Sequence, residues 1–324
     1  MRKVLGENHR RAVLIDKIKG VIYGHAIGDA IGLATEFLDK NAYKVYYPDG
    51  FSDYSQMVMD RHRSRWKPGE WTDDTDQMLC ILKSIVEKKE VEPKAIAKRI
   101  FDWAYGGGKG IGRTVYGVIS SPSFLFEPHE TAQRIWISSG KKAAANGAVM
   151  RTSVLGVWNY NDFDEVKKNA EIAAKVTHFD PRCVASAVAV SLAIAQLLGG
   201  ETDIDSIFSF VQKEVDQIDA QAKDYLYMAR LSGLSAFQLD AKDSIGYTYK
   251  AMGAGFWALT QNDFKKAILE IVRECGDADT NAAVAGGLLG AKVGFKRLPS
   301  DWMKGLRNKT VLDRHIERLL DIVE

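Results

Sequence analysis

Gly24-His25-Ala26-Ile27-Gly28-Asp29-Ala30-Ile31-Gly32 carries a glycine at every fourth position, and the reading of that spacing decides the fold. Upstream, Val13, Leu14, Ile18, Val21 and Ile22 recur on one helical face, so residues 12–38 read as a helix running into a stripe of small residues. Each glycine weakens a helix by about 1 kcal/mol relative to alanine. The stripe therefore implies a gain from contact, in which another backbone packs directly against it.

Outward from this stretch the chain continues as helix after helix. Apolar periodicity predicts helices at about 75–89, 94–105, 146–157, 162–177, 181–198, 203–218, 221–232, 246–259, 263–274, 280–293 and 309–322, with Pro93 suited to a first turn. No alternating strand pattern of useful length occurs, and no Gly/Ser-rich or Pro-rich linker divides the chain. The expectation is an all-α fold: a single compact multi-helix domain over residues 1–324, with its core at about 12–294. Residues 40–70 are aromatic, basic and turn-rich, with Pro48-Asp49-Gly50, Arg61-His62-Arg63-Ser64-Arg65-Trp66 and Pro68-Gly69, and read as a long loop near the site. The run Arg61 to Arg65 reads as a solvated part of it.

Composition narrows the function classes. Lys plus Arg total 44 against 42 for Asp plus Glu, so no global field draws the chain to nucleic acid or to an anionic membrane. A hydrophobic content of 46% with 27% charged residues fits a soluble globular protein, with a monomer as the default expectation. Cys80, Cys183 and Cys275 are odd in number and widely spaced, unlike a disulfide framework or a zinc site, which points to a reduced, cytoplasmic setting. The start, Met1-Arg2-Lys3 and the mixed polar residues up to Lys19, lacks the apolar core of a secretory signal. The apolar run Cys183 to Leu198, interrupted by Ser186, Ser191 and Gln196, is too short for a bilayer and reads as a buried helix.

Two acidic clusters carry the chemistry. Thr72-Asp73-Asp74-Thr75-Asp76 opens one predicted helix and Gly276-Asp277-Ala278-Asp279-Thr280 opens another. Taken singly, each cluster suits the N-terminus of its own helix, where Asp and Thr accept from free N–H groups. If Glu36, Asp73, Asp74, Asp277 and Asp279 converge, about five negative charges meet and cannot all stay ionised without compensation. Two divalent cations would nearly neutralise them. Every candidate ligand is oxygen, including Thr72 and Thr280, which favours Mg²⁺ or Mn²⁺ over zinc. The glycine-rich run Gly106 to Thr114 fits neither the dinucleotide fingerprint nor the P-loop, although its backbone N–H groups can cradle an anion.

The order Gly28-Asp29-Ala30-Ile31-Gly32 with Glu36, Trp71-Thr72-Asp73-Asp74-Thr75, Asn146-Gly147-Ala148-Val149-Met150-Arg151, Thr177-His178 and Gly276-Asp277-Ala278-Asp279-Thr280 resembles the ADP-ribosylglycohydrolase family across roughly residues 20–294. The resemblance implies an all-α fold, a centre of two Mg²⁺ or Mn²⁺ ions, and hydrolysis of the bond between ADP-ribose and a modified protein side chain, releasing ADP-ribose. By the same resemblance Thr72, Asp73, Asp74, Asp277, Asp279 and Thr280 are metal ligands. Glu36, Asp73 and Asp74 are the catalytic candidates. Asn146, Gly147, Met150, Arg151, His178, Gly110, Gly112 and Thr114 line the ADP-ribose site. Where some members carry an Asp near the scissile bond this chain has Gly110, and Ala143-Ala144-Ala145 replaces a Ser and Tyr found in relatives. Read without the family, Met150 fills core, Arg151 pairs with an acid, His178 caps the next helix and Asp76 stabilises a first helical turn. The expected bond is the N-glycosidic link to arginine, with ADP-ribosylserine or O-acetyl-ADP-ribose as alternatives. Of other classes, a non-catalytic ADP-ribose or toxin-binding antagonist and a crystallin-like structural protein stay open.

Overall fold

The described residues form fifteen α-helices and several short 3-10 turns, with no strand beyond one antiparallel bridge between Ala145 and Tyr247. The computed structural model describes residues 2–323, with side chains from residue 7 onward; Met1 and Glu324, part of the expected single domain, lie outside them. The all-α expectation holds.

The glycine stripe does what its spacing implies. The helix Arg2–Gly32 packs antiparallel on the helix Ala278–Val293. A methyl group added at Gly20, Gly24, Gly28 or Gly32 would overlap the backbone carbonyl of Gly290, Gly286, Ala282 or Ala278 respectively. The register advances four residues per contact on both helices, which keeps the small positions opposed along the whole interface. The last contact, Gly32 on Ala278, sets the end of one helix beside the start of the other. A 3-10 turn, Leu33–Thr35, then delivers Glu36 next to Asp277 and Asp279.

Other elements follow the predicted pattern within a few residues, with four corrections. Residues 146–157 form two short 3-10 turns, Val149–Arg151 and Ser153–Gly156, instead of a helix. There the Thr152 hydroxyl donates to Val149 O and the Thr152 carbonyl accepts from Ser191, which diverts the backbone from a helical ladder. Residues 40–70 are not a plain loop, because Asp39 accepts from the N–H groups of Asn41 and Ala42 and caps a helix, Lys40–Tyr46. Helices Arg113–Ile119, Pro128–Ser138 and Ser300–Gly305 escaped prediction. Finally, the core runs past residue 294, since Leu298, Trp302, Leu312, Ile316 and Leu319 are buried in it.

The helix Pro181–Gly199 is long and apolar enough to cross a membrane, so the sequence argument from length falls; burial identifies it as a core helix, with 89% of its most apolar window buried. The C-terminal segment also fixes residues 40–70: Trp302 donates to Ser52 O at 2.9 Å and Arg307 N–H to Gly69 O at 2.8 Å.

Candidate active site

The two acidic clusters meet at one end of a cavity of about 250 Å³. Asp73 and Asp74 enter on the first turn of the helix Asp73–Lys88, and Asp279 and Thr280 on the first turn of Ala278–Val293. Thr72 and Asp277 hold the N-cap positions of these helices, yet neither side chain makes a capping hydrogen bond. Neither N-cap residue caps its helix, and within the second cluster Asp279 Oδ1 accepts from the first-turn Thr280 N–H at 2.9 Å. The oxygens of the two clusters turn instead toward each other. Carboxylate oxygens of Asp29, Asp74 and Asp279 lie within 4.8 Å of one another, and so do those of Glu36, Asp277 and Asp279. Asp279 belongs to both sets. Thr72 Oγ1 stands among them, 3.2 Å from Asp74 Oδ2 and 3.3 Å from Asp279 Oδ2.

Asp29 is the residue sequence reasoning overlooked. It is fully buried in the glycine-spaced helix and accepts from Thr72 N, Thr72 Oγ1, Thr75 N and Thr75 Oγ1 at 2.9, 2.8, 3.0 and 2.6 Å. Both of its oxygens are therefore committed to the Thr72–Thr75 turn. Asp29 frames the site, and the oxygens left for a cation belong to its neighbours. The signal was present, since a carboxylate inside an apolar, small-residue helix requires a partner.

Electrostatically the cluster is under load. Burial, then the charges of Glu36, Asp29 and Asp277, pushes Asp73 well above the usual carboxylate range. Burial with the charges of Asp29 and Asp73 does the same to Asp74, and burial with Glu36 and Asp74 to Asp279. Asp277 is pushed up to about 6, by burial and by Glu36, against a hydrogen bond from Asn146 Nδ2 at 2.6 Å. Asp74 Oδ1 is buried with no hydrogen-bond partner. An orphaned carboxylate oxygen amid others, in an all-oxygen set, fits a hard divalent cation.

Glu36 is clamped from three sides. Phe37 N–H donates to Gly276 O at 2.6 Å and Gly276 N–H to Leu38 O at 3.0 Å, which ties Glu36 beside Asp277. Arg63 is fully buried, against the solvated-loop reading, and donates to Ala34 O at 2.8 Å and Glu36 O at 2.6 Å. His62 Nε2 lies 2.6 Å from Glu36 Oε2, while Arg65 donates to His62 Nδ1. Arginine can only donate, so Nδ1 is the acceptor and Nε2–H donates to Glu36.

The rest of the cavity wall is different in kind. Gly110, Gly112, Thr114, Ala145, Asn146, Gly147, Met150 and His178 line it, with Gly110 against Asp73 and Asn146 against Asp277, and Arg113 is the only Lys or Arg among the described lining residues. Gly110 has φ +87°, and a Cβ there would overlap Asp73 Oδ1, so no side chain fits without displacing Asp73. Arg151 is the exception among the expected ligand contacts. It lies behind the wall and donates to Gln77 Oε1 at 2.8 Å and Thr177 Oγ1 at 2.7 Å. Gln77 in turn donates to Asp73 Oδ2 at 3.2 Å, and Thr177 Oγ1 is 2.8 Å from His178 Nδ1. Arg151 fills one lone pair of Thr177 Oγ1, either the hydroxyl or His178 Nδ1–H donates across the 2.8 Å contact, and Nε2 is the ring nitrogen beside Gly147. Burial and the nearby Arg151 charge lower His178 to about 3, so the ring is neutral. Arg151 is thus a buried strut linking Gln77 and Thr177 behind the wall. Asp76, read from sequence as a first-turn stabiliser, accepts from the indoles of Trp71 at 2.8 Å and Trp103 at 2.9 Å.

Comparison with known proteins agrees with this geometry. A sequence profile described as ADP-ribosylglycohydrolase matches residues 10–324. The chain is 26% identical to ADP-ribosyl-[dinitrogen reductase] glycohydrolase of Rhodospirillum rubrum, over 94% of this chain and 95% of that one. It is 24% identical to ADP-ribosylarginine hydrolase Tri1 of Serratia proteamaculans, over 94% of this chain and 79% of the relative. A solved structure described as an ADP-ribosylglycohydrolase-related protein complex shares the fold, with a TM-score of 0.72 at 23% identity, covering 96% of this chain and 99% of that one. The chain is an enzyme of the ADP-ribosylglycohydrolase family.

Proposed function

We propose that this enzyme hydrolyses the N-glycosidic bond between ADP-ribose and an arginine side chain, and that it needs a pair of Mg²⁺ or Mn²⁺ ions. The observation that carries the reading is the make-up of one cavity: two overlapping carboxylate sets sharing Asp279, and, on the same wall, Arg113, glycine-rich backbone and a neutral His178. The names of two relatives, one an ADP-ribosylarginine hydrolase, support the arginine acceptor.

Thr72, Asp73, Asp74, Asp277, Asp279 and Thr280 would hold the ions, with Glu36 beside them. When bound, the ions supply charge neutralisation for the acids and Lewis-acid polarisation of oxygen ligands. The chain's own residues do the rest. Arg113 and the Gly110–Thr114 backbone face the diphosphate in this reading, and His178 Nε2 and Asn146 orient the rest of ADP-ribose. The distal ribose then lies against the acids, where carboxylates stabilise the positive charge that develops on the sugar as the C–N bond breaks and the arginine leaves as a neutral guanidine. Glu36, held by His62, or Asp73, held by Gln77, takes the proton of the attacking water.

The test is a turnover assay on ADP-ribosyl-arginine and ADP-ribosyl-serine peptides, with and without EDTA. Chelator-sensitive release from arginine is expected. Release from serine alone removes the arginine reading, and release untouched by EDTA removes the metal requirement.

A further inference from the structure

We propose that Phe37 is a specificity residue of this site: an aromatic platform for the cationic guanidinium of the acceptor arginine. The inference rests on the hydrolase reading above and adds the part of the protein that reads the acceptor.

Phe37 is a large apolar side chain that remains 57% exposed, so it does not fill core. Other exposed aromatics, Tyr105, Tyr116, Phe126 and Tyr227, are absent from the cavity wall, whereas Phe37 is part of it. Its backbone sits in the left-handed region at φ 59°, uncommon for phenylalanine, and is fixed there by the bonds to Gly276 on one side and by Arg63 on the Glu36 carbonyl. The ring is presented from a rigid frame. It follows Glu36 directly, so it stands at the acidic end of the cavity, where the bond to the acceptor is broken.

Glu36 and Phe37 line the cavity together. A carboxylate next to an exposed aromatic face suits a flat, delocalised, weakly hydrated cation, which the ring quadrupole attracts. A serine methylene and hydroxyl gain nothing comparable. The flanking ring agrees, since His62 lies 5.2 Å from Phe37 and both of its nitrogens are engaged, Nδ1 by Arg65 and Nε2 by Glu36, which leaves the Phe37 face free. Trp66, further along, offers no competing face because it is buried and already covered by Arg65 at 4.4 Å.

The experiment compares wild type with Phe37→Leu, which keeps an apolar side chain without the π face, and with Phe37→Tyr and Phe37→Trp, which keep the face. Three quantities are measured: kcat and KM on the arginine and serine peptides, the Kd of the ADP-ribosyl-arginine peptide with metal omitted, and the Kd of free ADP-ribose. Phe37→Leu should weaken the arginine peptide roughly tenfold in KM and Kd, about 1.4 kcal/mol, with kcat within twofold and ADP-ribose affinity unchanged. Tyr should match wild type and Trp should equal or exceed it. Equal arginine-peptide affinity for wild type and Phe37→Leu overturns the proposal, and so does an equal loss of free ADP-ribose, which would assign the ring to the nucleotide. Should Phe37→Leu melt early, a Phe37→Trp variant that binds the arginine peptide more weakly than wild type overturns it instead. A wild type that cleaves neither peptide removes the hydrolase reading, while the two Kd measurements still decide the platform.

Discussion

Raising the pH should destabilise the metal-free protein, and a divalent cation should abolish that effect. The perturbation is a shift from pH 7.0 to 8.0 in EDTA, then in excess Mg²⁺ or Mn²⁺. The window matters because His25, His178 and His315 are lowered to about 4, 3 and 4. Their effect, a gain in stability as pH rises from the folded pKa through about 6.5, is mostly complete at pH 7.0 and adds only about 0.4 kcal/mol across the window. The carboxylates act with the opposite sign. Asp73, Asp74 and Asp279 are raised well above 3.8 in the folded state, so the native chain retains protons that the unfolded chain has already released. Stability then falls by about 1.4 kcal/mol per pH unit for each retained proton. With an unfolding entropy of about 2.1 cal/mol/K per residue over 324 residues, 1.4 kcal/mol corresponds to roughly 2 °C. Net of the histidines, a single shared proton in the cluster predicts a drop of about 1.5 °C across the window in EDTA, and two predict about 3.5 °C. Bound cations ionise the acids, so the native chain holds no extra protons and the fall vanishes. Metal at a hundredfold excess over its Kd adds about 2.7 kcal/mol besides, or roughly 4 °C. Differential scanning fluorimetry at three pH values reads all of this. A flat or rising profile in EDTA would refute the loaded cluster, and superimposable curves with and without metal would refute the metal centre.

Three substitutions test the surrounding frame. Asp29→Asn converts one acceptor oxygen into a donor facing the Thr72 or Thr75 amide, leaving a buried N–H unpaired at about 1–3 kcal/mol; Mn²⁺ affinity by calorimetry should fall tenfold to a hundredfold, and unchanged affinity counts against Asp29 as the frame. Gly28→Val drives a side chain into the Ala282 carbonyl, an obstacle that no rotamer change relieves, so a loss at or beyond the upper end of about 1–3 kcal/mol is expected in urea melts, and wild-type stability would contradict the helix contact. Thr177→Val cuts the Arg151–His178 link while keeping the shape; ADP-ribose affinity should drop about tenfold with metal affinity intact, and a parallel loss of both would show the strut to be merely structural.

What the sequence made legible was local and periodic. The stripe from Gly24 to Gly32 required a close partner, and the clusters at Thr72 and Asp277 announced shared chemistry, because glycine spacing and charge density are visible without coordinates. The partner of the stripe was not named, since the matching small residues lie some 260 positions away and a 3.6-residue period does not identify which helix it meets. Arg63 was misjudged for a related reason: a run of basic residues looks solvated unless one knows that two carbonyls, Ala34 and Glu36, wait beneath it. Arg151 looked like a ligand contact because buried struts and binding residues share one chemistry and differ only in which side of a wall they face. The helix Lys40–Tyr46 was hidden by its neighbour Pro48-Asp49-Gly50, whose turn signal outweighed the Asp39 cap.

The glycine contact also explains why the carboxylates can be held together at all. Like charges at this range push their supporting elements apart, and a pair of helices separated by flexible side chains would yield by letting those side chains shift. Here the two helices that carry Asp29 and Asp279 touch backbone to backbone at four successive levels, the last of them reaching the Cα of Asp279. Nothing soft lies between them to give way. The third helix, which carries Asp73 and Asp74, is fastened to the pair through four hydrogen bonds on a single carboxylate, Asp29, which stands one residue after Gly28. The same glycines that weaken the first helix therefore set the separation of the acids, and relief of the repulsion held in that arrangement is what would favour the proposed cations.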